Sequence, residues 1–133
     1  MVNYEEAYLL LTAASRDFRA LQGMTDPGVF ADEIFGFHAQ QAAEKALKAW
    51  LSALDVEYPR THDLTMLLAL LALLEAHAQD VNLLFDIVEL NSYAVQYRYG
   101  AFDDMGSPID RAAVIARVRD LIAVVGSKAQ PDR

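Results

Sequence analysis

Between Phe35 and Leu54 the apolar residues Phe35, Ala39, Ala42, Ala43, Ala46, Leu47, Trp50, Leu51 and Leu54 recur mostly three or four positions apart. That is the period of one long helix. Ala, Leu, Gln, Glu and Lys dominate the stretch, no Pro interrupts it, and Gly36 lies near its start. These residue types lose little conformational freedom on becoming helical. The apolar positions cover more than half the circumference, so the pattern predicts a central helix contacted on several sides. Against that background His38, Gln41 and Lys45 form a polar row at i, i+3 and i+7, on one face with Ile34.

Similar patterns place other helices around it. Asn3 with Glu6 fits a capping box, opening a helix to about Leu21 whose buried face is Tyr4, Ala7, Tyr8, Leu11, Ala14, Phe18 and Leu21. Asp26-Pro27 is an N-cap followed by a first-turn proline, which starts the second helix and carries it to about Leu54. Residues 55–61 form a loop, and Thr61 or Asp63 caps a third helix from about His62 to His77. Asp80 caps a fourth helix that reaches Arg98 or Tyr99, and Ser107-Pro108 starts a fifth that ends near Val125 with Gly126 beyond it. No strand and no internal repeat stands out. The expectation is an all-α, antiparallel up-and-down bundle of about five helices: a four-helix body from the first, second, fourth and fifth, with the third shorter or crossing. One domain spans 1–126, and 127–133 is a flexible tail.

Composition narrows the function classes. The chain has 133 residues, enough for one core, and an apolar fraction of 54%, which suits a filled bundle or a face kept for a partner. The run LTMLLALLALLEAHA is broken by Glu75 and His77 and falls short of the roughly 20 apolar residues of a membrane span. Glu5 and Glu6 stand where a signal peptide would be basic, so a cytoplasmic location is expected. The absence of cysteine excludes thiolate chemistry. A net charge of −8 repels phosphate backbones, which argues against general nucleic-acid binding while leaving room for a local basic pocket.

Four polar groupings could carry chemistry, and each has a structural reading beside the functional one. The His38, Gln41, Lys45 row, with Glu44 beside it, could present donors to a phosphate or nucleobase; equally, Gln41 could satisfy a core group and Lys45 extend to water. Thr61 to Asp63 at a helix start could hold an anion beside Arg60 and His62, or simply cap the helix. Asn91 and Arg98 lie two turns apart on one face of the fourth helix. Such an Asn needs a partner, and Arg98 could fork onto a phosphate or a carboxylate. Tyr93, Tyr97 and Tyr99 could stack on a base, though packing is the commoner use of such rings. No Glu-x-x-His, His-x-x-x-His or acidic calcium loop is present, and neither are the Gly-rich and G-x-S-x-G signatures. No metal or cofactor is therefore assigned.

Taken in order, FHAQQAAEKALKAWL, YPRTHDL and YAVQYRYG resemble the HEPN domain (higher eukaryotes and prokaryotes nucleotide-binding), over Val2 to about Val125. The resemblance implies a small all-α bundle, commonly a homodimer, often encoded beside a minimal nucleotidyltransferase in toxin–antitoxin-like pairs. Many such domains are metal-independent ribonucleases, marked by an Arg followed four to six residues later by a His. In that chemistry the His moves protons and the Arg steadies the phosphate. Arg98 matches the Arg by place, but Tyr99 to Met105 contain no His, and Arg60 has His62 only two positions on. What remains is a HEPN-type nucleotide-binding or interaction module without a catalytic residue, companion to a separately encoded nucleotidyltransferase. A cleft between the second and fourth helices would use His38, Gln41, Lys45, Arg60, His62, Asn91, Tyr97 and Arg98. The alternatives are a metal-independent ribonuclease toxin and a purely structural dimeric partner protein.

Overall fold

The structure, a computed structural model, describes residues 4–74, 85–91 and 109–128. Among them are four α-helices, α1 (Tyr4–Gly23), α2 (Asp32–Ala53), α3 (Leu64–Ala72) and α4 (Arg111–Lys128), with a 3₁₀ segment at Phe85–Leu90. The class is all-helical, with no strand among the described residues, which hold four α-helices where about five are expected of the whole chain. None of the helices is long and apolar enough to cross a membrane, among the described residues.

As its pattern requires, α2 lies at the centre. It packs on α1, α3, α4 and the 3₁₀ segment, and no residue along it is fully exposed. Its alanines at 39, 42, 43, 46 and 49 are completely buried, which lets neighbouring helices approach closely from more than one side. Trp50 and Phe35 fill the wider spaces.

Side-chain contacts give the directions. Asp17 of α1 meets His38 and Lys45 of α2, whereas Glu6 meets Ser52, so α1 and α2 run antiparallel. The Arg111 side chain lies against the start of α2 and Lys128 stands 5.9 Å from the ring centre of Trp50, so α4 runs parallel to α2.

Several boundaries differ from expectation. Asp26 does cap a turn: its carboxylate accepts from Gly28 N at 2.8 Å and its carbonyl from Val29 and Phe30. The helix does not continue from there, because Arg111 draws the carbonyls of Met24 and Phe30 onto its guanidinium at 2.7 and 2.6 Å and fixes the connection as a loop. Helix α2 therefore begins at Asp32. Helix α3 stops at Ala72, before His77, where Leu74 N bonds the carbonyl of Leu71 and tightens the last turn. The segment expected as the middle of a fourth α-helix is 3₁₀ over Phe85–Leu90; three residues per turn keep Ile87 and Leu90 in line, and both are buried.

Helix α4 runs through Gly126 to Lys128. Gly126 is therefore a position inside the helix rather than its end, and it faces α1, where a Cβ would meet Leu11 at an ordinary 3.9 Å. Tyr8, expected in the buried face of the first helix, is 67% exposed, because one position beyond the buried Ala7 turns it about 100° outward. Asn3 and Asp80 lie outside the described residues.

Candidate functional site

Two carboxylates organise the polar groups of α2. The first is Asp17 of α1, which crosses to α2 and takes Lys45 Nζ at 2.7 Å on one oxygen and His38 Nδ1 at 3.3 Å on the other. All three side chains are partly buried. The His38 ring also meets Phe37 edge-on, with 5.7 Å between centroids.

The second is Glu44, buried on α2. It accepts from Gln40 Nε2 at 3.1 Å and Lys48 Nζ at 3.0 Å, and it pairs with His62 Nδ1 at 2.9 Å. Burial by itself would push this carboxyl up, but the hydrogen bonds from Gln40, Lys48 and His62, together with the Lys48 charge, outweigh that and hold it below its ordinary range. Gln40 is completely buried and also donates to the His62 carbonyl at 2.9 Å, so the start of α3 is tied to α2 through one amide. Gln41 joins the system by donating to Gln40 Oε1 at 2.8 Å. Each carboxylate thus holds one Lys and one His, and the Gln40–Gln41 pair reaches from the buried node toward the half-buried face of α2.

Asn91 has a different job. Its carbonyl oxygen accepts from Leu64 N at 2.7 Å and its amide donates to Asp63 at 2.9 Å and Thr65 at 3.2 Å. Asp63 in turn accepts from Thr65 N, so Asn91 and Asp63 together cap α3. Arg60 is exposed and lines a cleft of about 460 Å³ with Glu6, Asp55, Glu57 and the hydroxyls of Ser52 and Tyr58. Three carboxylates against one guanidinium make this cleft acidic. Glu6 binds Ser52 Oγ at 2.5 Å and Tyr58 OH at 3.3 Å, and burial, then the Glu6 charge, raise the Tyr58 phenol above its usual value.

The structure therefore gathers His38, Gln41, Lys45 and His62 along the two α2 nodes, and puts Arg60 in an acidic cleft and Asn91 at the α3 cap. Tyr97 and Arg98 lie outside the described residues, as do Tyr93 and Tyr99. No group of three metal-ligating side chains is present among the described residues.

Gln40, Lys48 and Asp17 were not singled out as site residues from the sequence. Gln40, Glu44 and Lys48 follow an i, i+4, i+8 ladder that is legible there. Asp17 carries no such signal, since only the α1–α2 contact joins it to Lys45.

The class defined by these features is a small helical-bundle domain whose central helix bears a charge-balanced polar site. The chain belongs to the HEPN domain family: the family model matches residues 7–128, nearly the whole chain. No curated protein and no solved structure matches it.

Proposed function

We propose that this chain is a nucleotide-binding HEPN module that acts through association rather than RNA cleavage. The observation that carries the reading is the pair of carboxylate nodes on α2. They hold Lys45 and Lys48 at fixed places one helical turn apart, with His38, Gln41 and His62 beside them. Ammonium groups already held by carboxylates, Lys48 by the buried Glu44 and Lys45 by the partly buried Asp17, lose little further freedom when a phosphate adds to them, so less of the binding energy is spent on ordering. Arg98, seven positions beyond Asn91 in the sequence, is the residue type that forks onto a phosphate and is taken as the third cationic contact. The missing His after Arg98 removes the proton-transfer partner of the family's ribonucleases. The module forms a homodimer and works with a separately encoded minimal nucleotidyltransferase, in the toxin–antitoxin-like arrangement common in the family.

Isothermal titration against a panel of mononucleotides tests the ligand. Binding by wild type, weakened about tenfold or more in Lys45→Ala and Arg98→Ala, is expected for loss of a charge-assisted phosphate contact. No heat with any nucleotide, or unchanged affinity in both variants, removes the reading. Cellular RNA incubated with the protein should stay intact; cleavage that disappears in Arg98→Ala would restore the ribonuclease alternative.

A further inference from the structure

The outward face of α1 is self-complementary in charge, and we propose that it is the surface on which a second copy of this chain docks, antiparallel and about a two-fold axis through Thr12. This deepens the dimer part of the reading above by naming its face. Glu5, Tyr8, Thr12, Arg16 and Arg19 follow at spacings of three and four, which sets them on one stripe. It points away from the core, where α1 buries Ala7, Ala14 and Leu21.

Tyr8 is 67% exposed, and Leu9 beside the stripe is 61% exposed. Glu5, Arg16 and Arg19 are exposed and form no ion pair among the described residues. In a chain of net charge −8 with only 11 Lys and Arg, two bare arginines next to an exposed Tyr and Leu are an unusual concentration. Tyr and Arg are the residue types that most often dominate association energies.

The register specifies the partner. When two helices pack antiparallel, facing residues have numbers that add to a constant. A two-fold axis at Thr12 sets that constant so that Glu5 faces Arg19 of the second copy and Tyr8 faces its Arg16. Both copies make the same contacts, as an isologous interface demands. The opposing pairs are one carboxylate–guanidinium and one cation–π contact, each made twice, with the small Thr12 side chains at the crossing. A partner of unrelated charge pattern would satisfy one end of the stripe and oppose the other. From Glu5 to Arg19 the stripe is about 21 Å long and one helix wide, at the small end of specific interfaces, so the association should be weak, in the micromolar range.

Charge reversal tests this without touching the core. Sedimentation equilibrium of the full chain should show a concentration-dependent dimer. Glu5→Arg and Arg19→Glu, each alone, should weaken self-association about tenfold or more, since each places like charges opposite one another twice. Mixing the two variants should restore a dimer, and so should the double variant E5R/R19E, because every facing pair is again opposite in sign. Circular dichroism should be unchanged throughout, all positions being on the surface. A wild-type dimer unaffected by either single reversal overturns this face while leaving the homodimer intact. Failure of the mixture to recover overturns the antiparallel register. A wild type that is monomeric at all concentrations ends both this inference and the dimer it rests on.

Discussion

Glu44→Gln isolates the charge at the buried node while keeping the shape of the side chain. Glu44 is 5% exposed and its carboxylate is the common partner of Lys48, His62 and Gln40. A neutral amide can still meet one of these donors, but Lys48 is left as an ammonium that is 15% exposed and lacks its counter-charge. Removing one member of a buried pair costs about 3–5 kcal/mol, and the partial exposure of Lys48 and the retained amide bring the expectation to roughly 2–3 kcal/mol. For a chain of this size that corresponds to a fall in Tm of about 10 °C at pH 7.

The pH dependence carries an independent sign. The Glu44 carboxyl is held below 4.5 in the folded chain, so its contribution is present above the unfolded value and is lost as pH falls through the folded one. Wild type should therefore lose part of its advantage over the variant below about pH 4.5, and the two melting curves should converge on acidification. Thermal melts followed by circular dichroism at pH 7 and at pH 3.5 measure both effects. A variant within 2 °C or so of wild type at pH 7, or a gap that stays constant down to pH 3.5, would refute the account of Glu44 as the organising charge.

Three further outcomes follow from other contacts. Arg111→Lys should cost about 2–4 kcal/mol in urea unfolding, nearly as much as Arg111→Ala, because one ammonium cannot serve the Met24 and Phe30 carbonyls and Asp32 together or stack 4.9 Å over Phe35; full rescue by Lys would contradict this. Ala46→Leu should destabilise by about 1–3 kcal/mol, since that alanine is completely buried on a helix packed from several sides, and a neutral or stabilising result would mean that the site has spare volume. Asn91→Ala should cost about 1–2 kcal/mol and raise hydrogen exchange at Leu64 and Thr65, the start of the helix that it caps; unchanged exchange there would count against the cap.

The lineage of these contacts separates what is local from what is not. Helical periodicity makes α2 legible from residue types alone, including its central position, because an apolar surface wider than one stripe must be covered on several sides. The cap by Asp63 is equally local in origin, a short polar side chain beside free N–H groups. That Asn91 needs a partner was legible too, but its partners at the start of α3 stand 26 to 28 positions away and come from packing. The family resemblance, too, is carried by short contiguous segments of the sequence.

Where the second helix starts was decided elsewhere. Asp26-Pro27 is a sound start signal, and the turn it predicts does form; the loop that follows is set by Arg111, whose guanidinium arrives from the far end of the chain. The site divides the same way. The residues of the α2 row share a face by helical geometry, so their proximity to one another was determined by the sequence. Which carboxylate each cation meets was not: Asp17 reaches Lys45, and His62 reaches Glu44, only because α1 and the approach to α3 pack against α2. Periodicity specifies which side a residue faces, while the charge it meets there belongs to another element and follows from how the elements pack.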